Sequence, residues 1–158
     1  MKISRNQGKV AGNFPTPCFI TLLYNLKKYA EFANAAFFGT HTMNLSGLNL
    51  FLVGIKGTGM TALAELLLSR KNRVSGSDVP EKFYTDEILT RLRIPYKESF
   101  SEENITNSFD HVIYSSAYNP ETQPELRKAK SLGIPILSYP EALGSLSRLY
   151  ESIGIAGV

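Results

Sequence analysis

The sequence offers a single cysteine, Cys18, so neither an internal disulfide nor a cage of thiolates around a metal can form within one chain. That usage fits a reducing, cytoplasmic setting. No stretch approaches the roughly 20 apolar residues that cross a bilayer, and the run CFITLLY at 18–24 is too brief to do so. Histidine occurs only twice. His41 lies near the beginning of the chain, and His111 opens an expected strand, at the end of a parallel sheet away from ligands. Neither has a nucleophile in a recognisable context, and no His, Cys, Asp or Glu cluster shows metal-ligand spacing. Net charge is only +3. Residues 1–42 hold five basic side chains against one acid, Glu31, which leaves 43–158 close to neutral. Nucleic acid needs clustered Lys or Arg, which this part lacks, so neither nucleic acid nor membrane is an expected partner. The chain looks equipped to bind rather than to react.

What is there divides in two. Residues 1–42 contain Gly, Asn, Pro and Thr up to Pro17, then a mildly amphipathic piece over 20–38. Such a basic segment can be a targeting peptide, but it lacks the Arg and Ser density of a transit peptide and the cleavage site of a signal peptide. The plainer reading, an extension with little stable structure ahead of a natural start at Met43, is preferred. From residue 48 onward, apolar runs and helical periods alternate. Strands are expected at 48–53, 73–77, 94–96, 110–117, 134–137 and 153–158. Helices are expected at 60–70, from Thr85, at 121–132 and at 140–150. Alternation of this kind predicts an α/β fold, a Rossmann-like parallel sheet with helices on both faces. Ligands of such sheets sit at the carboxyl ends of the strands, so the residues following each strand are the ones to inspect.

Gly54-Ile55-Lys56-Gly57-Thr58-Gly59 follows the first strand. Glycines allow a tight turn and close approach of the backbone to a pyrophosphate, which then meets the free N–H groups of the next helix, beginning near Gly59 and Met60. Gly54 and Gly59 match the ends of the dinucleotide pattern G-x-G-x-x-G, while Lys56 occupies its middle glycine. Lysine cannot take every conformation of glycine, but its ammonium can offer a point charge to phosphate. The plainer alternative is a turn that merely packs a helix on a strand. Ser77 and Asp78 close the second strand, Asp78 standing where an acid can accept from a ribose or base. Ser115, Ser116 and Ala117 end the fourth strand and can line one wall of a nucleotide pocket, although serines there are also ordinary turn formers.

The runs LFLVGIKGTGMTALAELLLSRKNRVSGSD, VIYSSAYNPETQPELRKAKSLGIPILSYPEAL and IGIAGV together resemble the amino-terminal domain of the Mur ligases. The likeness spans about 47–158 and is strongest to the branch that joins L-alanine to UDP-N-acetylmuramate. The family pattern is a G-x-G-G-x-G-M loop, a later S-G-S-D and a Y-S-S-A. The resemblance implies a first domain for the UDP-sugar at 43–152, with 153–158 as the first strand of a central ATP-binding domain, in a three-domain ligase of peptidoglycan synthesis. In that family ATP, with magnesium, phosphorylates the lactyl carboxylate, and the amine of alanine then displaces the phosphate. It also implies backbone donation to the diphosphate from Gly57, Thr58, Gly59 and Met60, with Asp78 near the uridine. Ser115, Ser116 and Ala117 would form the opposite wall, and Ser138 and Tyr139 the sugar side. Lys56 departs from the family glycine, while Gly54, Gly57 and Gly59 remain.

In the family a strand like GIAGV runs into H-G-K-T-T, the loop that grips ATP. Here the sequence ends at Val158. The expectation is therefore a fragment that binds, has no cofactor of its own and is inactive alone. Two alternatives stand beside it: an NAD(P)-binding module of a dehydrogenase or redox sensor, for which Gly54, Gly59 and Asp78 serve equally well, and a truncated gene product without function.

Overall fold

The computed structural model describes residues 44–151. The expected extension at 1–42 and sixth strand at 153–158 lie outside them. Strand β1 (Asn49–Val53) is central. Its side chains alternate across the sheet and are buried on both faces, as a near-continuous apolar run requires: Leu50 and Leu52 enter one core, Phe51 and Val53 the other. Helix α1 (Thr58–Ser69) returns the chain to β2 (Arg73–Ser77). Then follow α2 (Thr85–Arg91), the two-residue β3 (Tyr96–Lys97), a 3-10 turn (Glu102–Asn104), β4 (His111–Tyr114), α3 (Pro124–Ser131), β5 (Ile136–Ser138) and α4 (Tyr139–Ser147).

All pairings in the five-stranded sheet are parallel, in the order β3-β2-β1-β4-β5. Met60, Leu63, Ala64 and Leu67 of α1 share one core with Leu89 of α2 and with Ala142 and Leu146 of α4. Leu126 and Ala129 of α3 form the other with Ile105 and Ile134. The sheet therefore has helices on both faces. Gly76 is the tightest point between strands, because a Cβ there would lie 2.3 Å from the Leu52 carbonyl oxygen.

Strand β4 stops at Tyr114 rather than 117 and α4 at Ser147 rather than 150, and three further boundaries differ from expectation for a local reason. Strands β3 and β5 begin two residues later than 94 and 134, each just beyond an Ile-Pro step. Proline has no N–H for the ladder, so Ile94 and Ile134 are buried as core residues ahead of the strand while the carbonyls of Pro95 and Pro135 accept from Gly76 and Val112 at 3.2 and 3.0 Å. Helix α3 starts at Pro124, since Asn119 first turns the chain by accepting from the N–H groups of Glu121, Thr122 and Gln123. Alternation is also incomplete: only the 3-10 turn joins β3 to β4.

Candidate functional site

The carboxyl end of β1 runs into the glycine loop, which bends across the end of β2. The N–H groups of Gly54 and Ile55 both donate to the Ser77 carbonyl, at 2.9 and 3.1 Å. Gly54 has φ +84, and a Cβ on it would sit 2.6 Å from the Tyr118 ring and 3.0 Å from Ser115 Cβ. Both the backbone conformation and the space demand glycine there. The first turn bond of α1 runs from Thr61 N–H to Gly57 O at 2.8 Å. The preceding N–H groups, of Thr58, Gly59 and Met60, have no partner inside the helix. No side chain caps this end, so these donors and the positive end of the helix dipole form an anion-favouring corner. Met60 contributes only its backbone, its side chain being buried in the core.

Three expected walls come together around this corner. Tyr139, at the start of α4, lies over Gly59, its hydroxyl 3.0 Å from where a Cβ would be. Ser115, tied to Val53 O through its N–H at 3.0 Å, faces Gly54, and the exposed Ser116 and Ala117 continue the rim. Asp78 stands behind the loop, almost fully buried. One of its carboxylate oxygens accepts from the Lys56 N–H at 2.6 Å and the other from the Val79 N–H at 2.8 Å.

Other expected contacts are directed elsewhere. The ammonium of Lys56 is buried and donates to Val79 O (2.9 Å), Glu81 O (2.9 Å) and Glu98 Oε1 (3.0 Å), with Asp86 Oδ1 at 3.5 Å. It is not the exposed point charge expected for a phosphate. Burial lowers its pKa, but the Glu98 hydrogen bond and the charges of Asp86 and Glu98 outweigh that and hold it above the ordinary lysine value. The Ser77 hydroxyl is likewise closed off, fully buried and donating to Glu125 Oε2 at 2.6 Å. At Ser138 the hydroxyl and the N–H both reach Glu141 Oε2, at 2.7 and 2.8 Å, as the N-cap of α4.

Two neighbours of the site were missed from sequence. Tyr118 packs on Gly54 and donates to Asp78 Oδ1 at 3.4 Å; burial first, then the Asp78 charge, pushes its phenol up to about 12. Its place directly after Ala117, as the last residue of YSSAY, was the available signal. Tyr84, 62 % exposed, brings its hydroxyl to 2.6 Å from Thr58 Oγ1 at the mouth of the loop. Among the described residues no group of three or more His, Cys, Asp or Glu side chains is placed to hold a metal, and no helix is long and apolar enough to cross a membrane.

The arrangement can hold an anionic group against backbone donors, between Tyr139 and the Ser115–Ala117 rim with Asp78 behind. Comparison with known proteins identifies the family. The pattern described as Mur ligase family, catalytic domain, matches residues 49–151. The UDP-N-acetylmuramate–L-alanine ligase of Treponema pallidum (strain Nichols) is 54 % identical over 120 residues, 76 % of this chain and 25 % of that protein. The ligase of the same name from Borreliella burgdorferi is 55 % identical over 112 residues, 69 % of this chain and 24 % of its own. Among solved structures, the UDP-N-acetylmuramate–alanine ligase of Thermotoga maritima superposes with a TM-score of 0.58 at 30 % identity, over 64 % of this chain and 23 % of that one. The chain thus spans about a quarter of the length of the curated relatives it matches. With glycine loop, strand order and sequence in agreement, the chain belongs to the Mur ligase family.

Proposed function

We propose that residues 43–152 are the UDP-N-acetylmuramate-binding unit of a cytoplasmic peptidoglycan-synthesis ligase that adds L-alanine. The observation that carries this reading is the uncapped start of α1, whose Thr58, Gly59 and Met60 N–H groups open between Tyr139 on one side and Ser115 to Ala117 on the other. A diphosphate matches those donors in charge and in size of approach. Asp78 accepts from two backbone N–H groups and, on Oδ1, from the Tyr118 hydroxyl, so Oδ2 keeps a further lone pair for a uridine N–H or ribose hydroxyl. Tyr139 and Ser138 border the sugar side. Gly57, exposed at the turn, leaves room for the phosphate oxygens.

In this reading the chain binds and orients the sugar nucleotide. The ATP, magnesium and alanine sites belong to the remaining three quarters of the relatives' length, and no chemical step is assigned to the residues present.

Calorimetric titration of the full chain with UDP-N-acetylmuramate, UDP and NADH tests the proposal. Saturable binding of the UDP-sugar, displaced by UDP, is expected. Tight NADH binding with none for the UDP-sugar would make the chain a dinucleotide module instead.

A further inference from the structure

We propose that Lys56 is a positioning residue: its ammonium holds the segment 79–84 in place as a wall of the nucleotide site, ending in Tyr84, and does not touch the ligand. The identity of the ligand rests on the UDP-sugar reading above; the holding of the segment does not.

Every polar group of Lys56 is engaged within the protein. Its N–H donates to Asp78, its carbonyl accepts from Thr85 Oγ1 at 2.5 Å, and its three ammonium donors go to Val79 O, Glu81 O and Glu98 Oε1. The Tyr96 ring lies 5.3 Å from the ammonium nitrogen. One side chain thus joins the glycine loop to the segment after β2, to the first turn of α2 and to the end of β3. The segment it grips has no regular secondary structure up to its last residues, and two of its carbonyls are satisfied by this one ammonium. At the other end Tyr84 meets Thr58, the first residue of α1. The segment is therefore fastened at its root by Lys56 and at its tip beside the N–H groups expected to receive the diphosphate.

Glu98 separates this role from direct phosphate binding, because the two predict opposite signs. Its side chain is 41 % exposed, bonds Lys56 and Lys82, and reaches the glycine loop through the Lys56 ammonium. If Lys56 faced the phosphate, removing the neighbouring acid would strengthen anion binding. If Lys56 holds the wall, removing that acid loosens the wall and weakens binding.

The experiment compares the full chain with Glu98→Ala, Lys56→Met, Tyr84→Ala and the Lys56→Met/Tyr84→Ala double variant. Each is titrated with UDP-N-acetylmuramate and followed by amide hydrogen exchange without ligand. Affinity should fall about threefold in Glu98→Ala and about tenfold in Lys56→Met. The double variant should lose no more than its weaker-binding single parent, because Lys56 acts through the segment that carries Tyr84. Exchange should rise across 79–84 while α3 keeps its protection. Equal or tighter binding by Glu98→Ala, or unchanged exchange at 79–84 in both Lys56→Met and Glu98→Ala, would overturn the inference. Should Lys56→Met not fold, Glu98→Ala decides. Should the unsubstituted chain bind no UDP-sugar, the functional proposal fails and the exchange result alone decides the role of Lys56.

Discussion

Glu125 has no exposed surface, yet it carries a carboxyl that Ser77 and Asn104 reach with donors at 2.6 and 2.7 Å. Burial pushes its pKa up, and the hydrogen bonds from Ser77, Asn104 and the Ser101 backbone offset this only in part. An acid whose folded pKa lies above its unfolded value binds its proton more readily in the native state. Its contribution to stability is full below the unfolded value of 4.5 and is lost as pH rises through the folded pKa. The urea midpoint should therefore carry a downward component as pH increases from about 4 to 8, and Glu125→Gln should flatten it. An amide keeps one acceptor and the Ser77 hydroxyl can turn to accept from the other end, so the variant is expected to fold. Parallel midpoint-against-pH curves for the two proteins would count against this account. The same residues show why side-chain direction was not legible in the sequence. That Ser77 and Lys56 stand at strand ends followed from the alternation of elements. That their polar groups are turned inward depends on Glu125, 48 positions from Ser77, and on Glu98, 42 positions from Lys56.

The elements share a repeated ending. After α1, α2 and α3 a residue takes a left-handed conformation: Lys71 at φ 63, Arg93 at φ 55 and Gly133 at φ 70. In each case the next N–H reaches back five residues, Asn72 to Leu67, Ile94 to Leu89 and Ile134 to Ala129, and the left-handed residue's own N–H reaches back three. This is the Schellman closure, which favours glycine because a Cβ disfavours that conformation by roughly 1–2 kcal/mol. Only Gly133 was recognisable as a stop from sequence, and there the expected helix end lay within a residue of the observed one. Lys71 and Arg93 gave no such sign, because side-chain-bearing residues occupy a position that glycine usually marks. Lys71→Gly and Arg93→Gly should each stabilise by about 0.5–1 kcal/mol once the greater freedom of glycine in the unfolded chain is deducted. Gly133→Ala should destabilise by about 1 kcal/mol, from strain alone, since nothing lies within 4 Å of the added Cβ. Urea midpoints at constant m-value measure all three. A loss of stability in both glycine variants would mean that the lysine and arginine side chains contribute more than their backbone conformation costs.

At the scale of the molecule, the strand order brings the candidate site together. Both β2 and β4 pair with β1, so the chain leaves β1 toward one side of the sheet and returns through β4 to the other, which makes the carboxyl end of β1 the switch point where ligands of such sheets sit. The glycine loop, Asp78 and Ser115 all meet there, and α4 adds Tyr139 from beyond β5. This much could be read from the order of apolar runs and turns, since parallel crossovers leave few topologies open. The thin cover between β3 and β4 could not, because a single 3-10 turn has no periodic signature. It leaves a concavity of about 280 Å³ whose lining includes Ser75, Tyr96, Asn104 and Phe109, on the opposite face from α1. A site assembled from four separate crossings exists only in the folded state, so its ligand must stabilise the whole unit rather than one loop. At UDP-N-acetylmuramate concentrations about 100 times its Kd the gain is about 2.7 kcal/mol, which should raise the melting temperature by on the order of 10 °C. Adding ATP, magnesium and L-alanine should raise it no further and should release no phosphate, because under the proposed reading those ligands belong to parts of the relatives that this chain does not span. Differential scanning calorimetry with a phosphate assay on the same samples checks both statements. A melting temperature unmoved by the UDP-sugar would remove the proposed ligand, whereas alanine-dependent phosphate release would show that the chain does chemistry and not only binding.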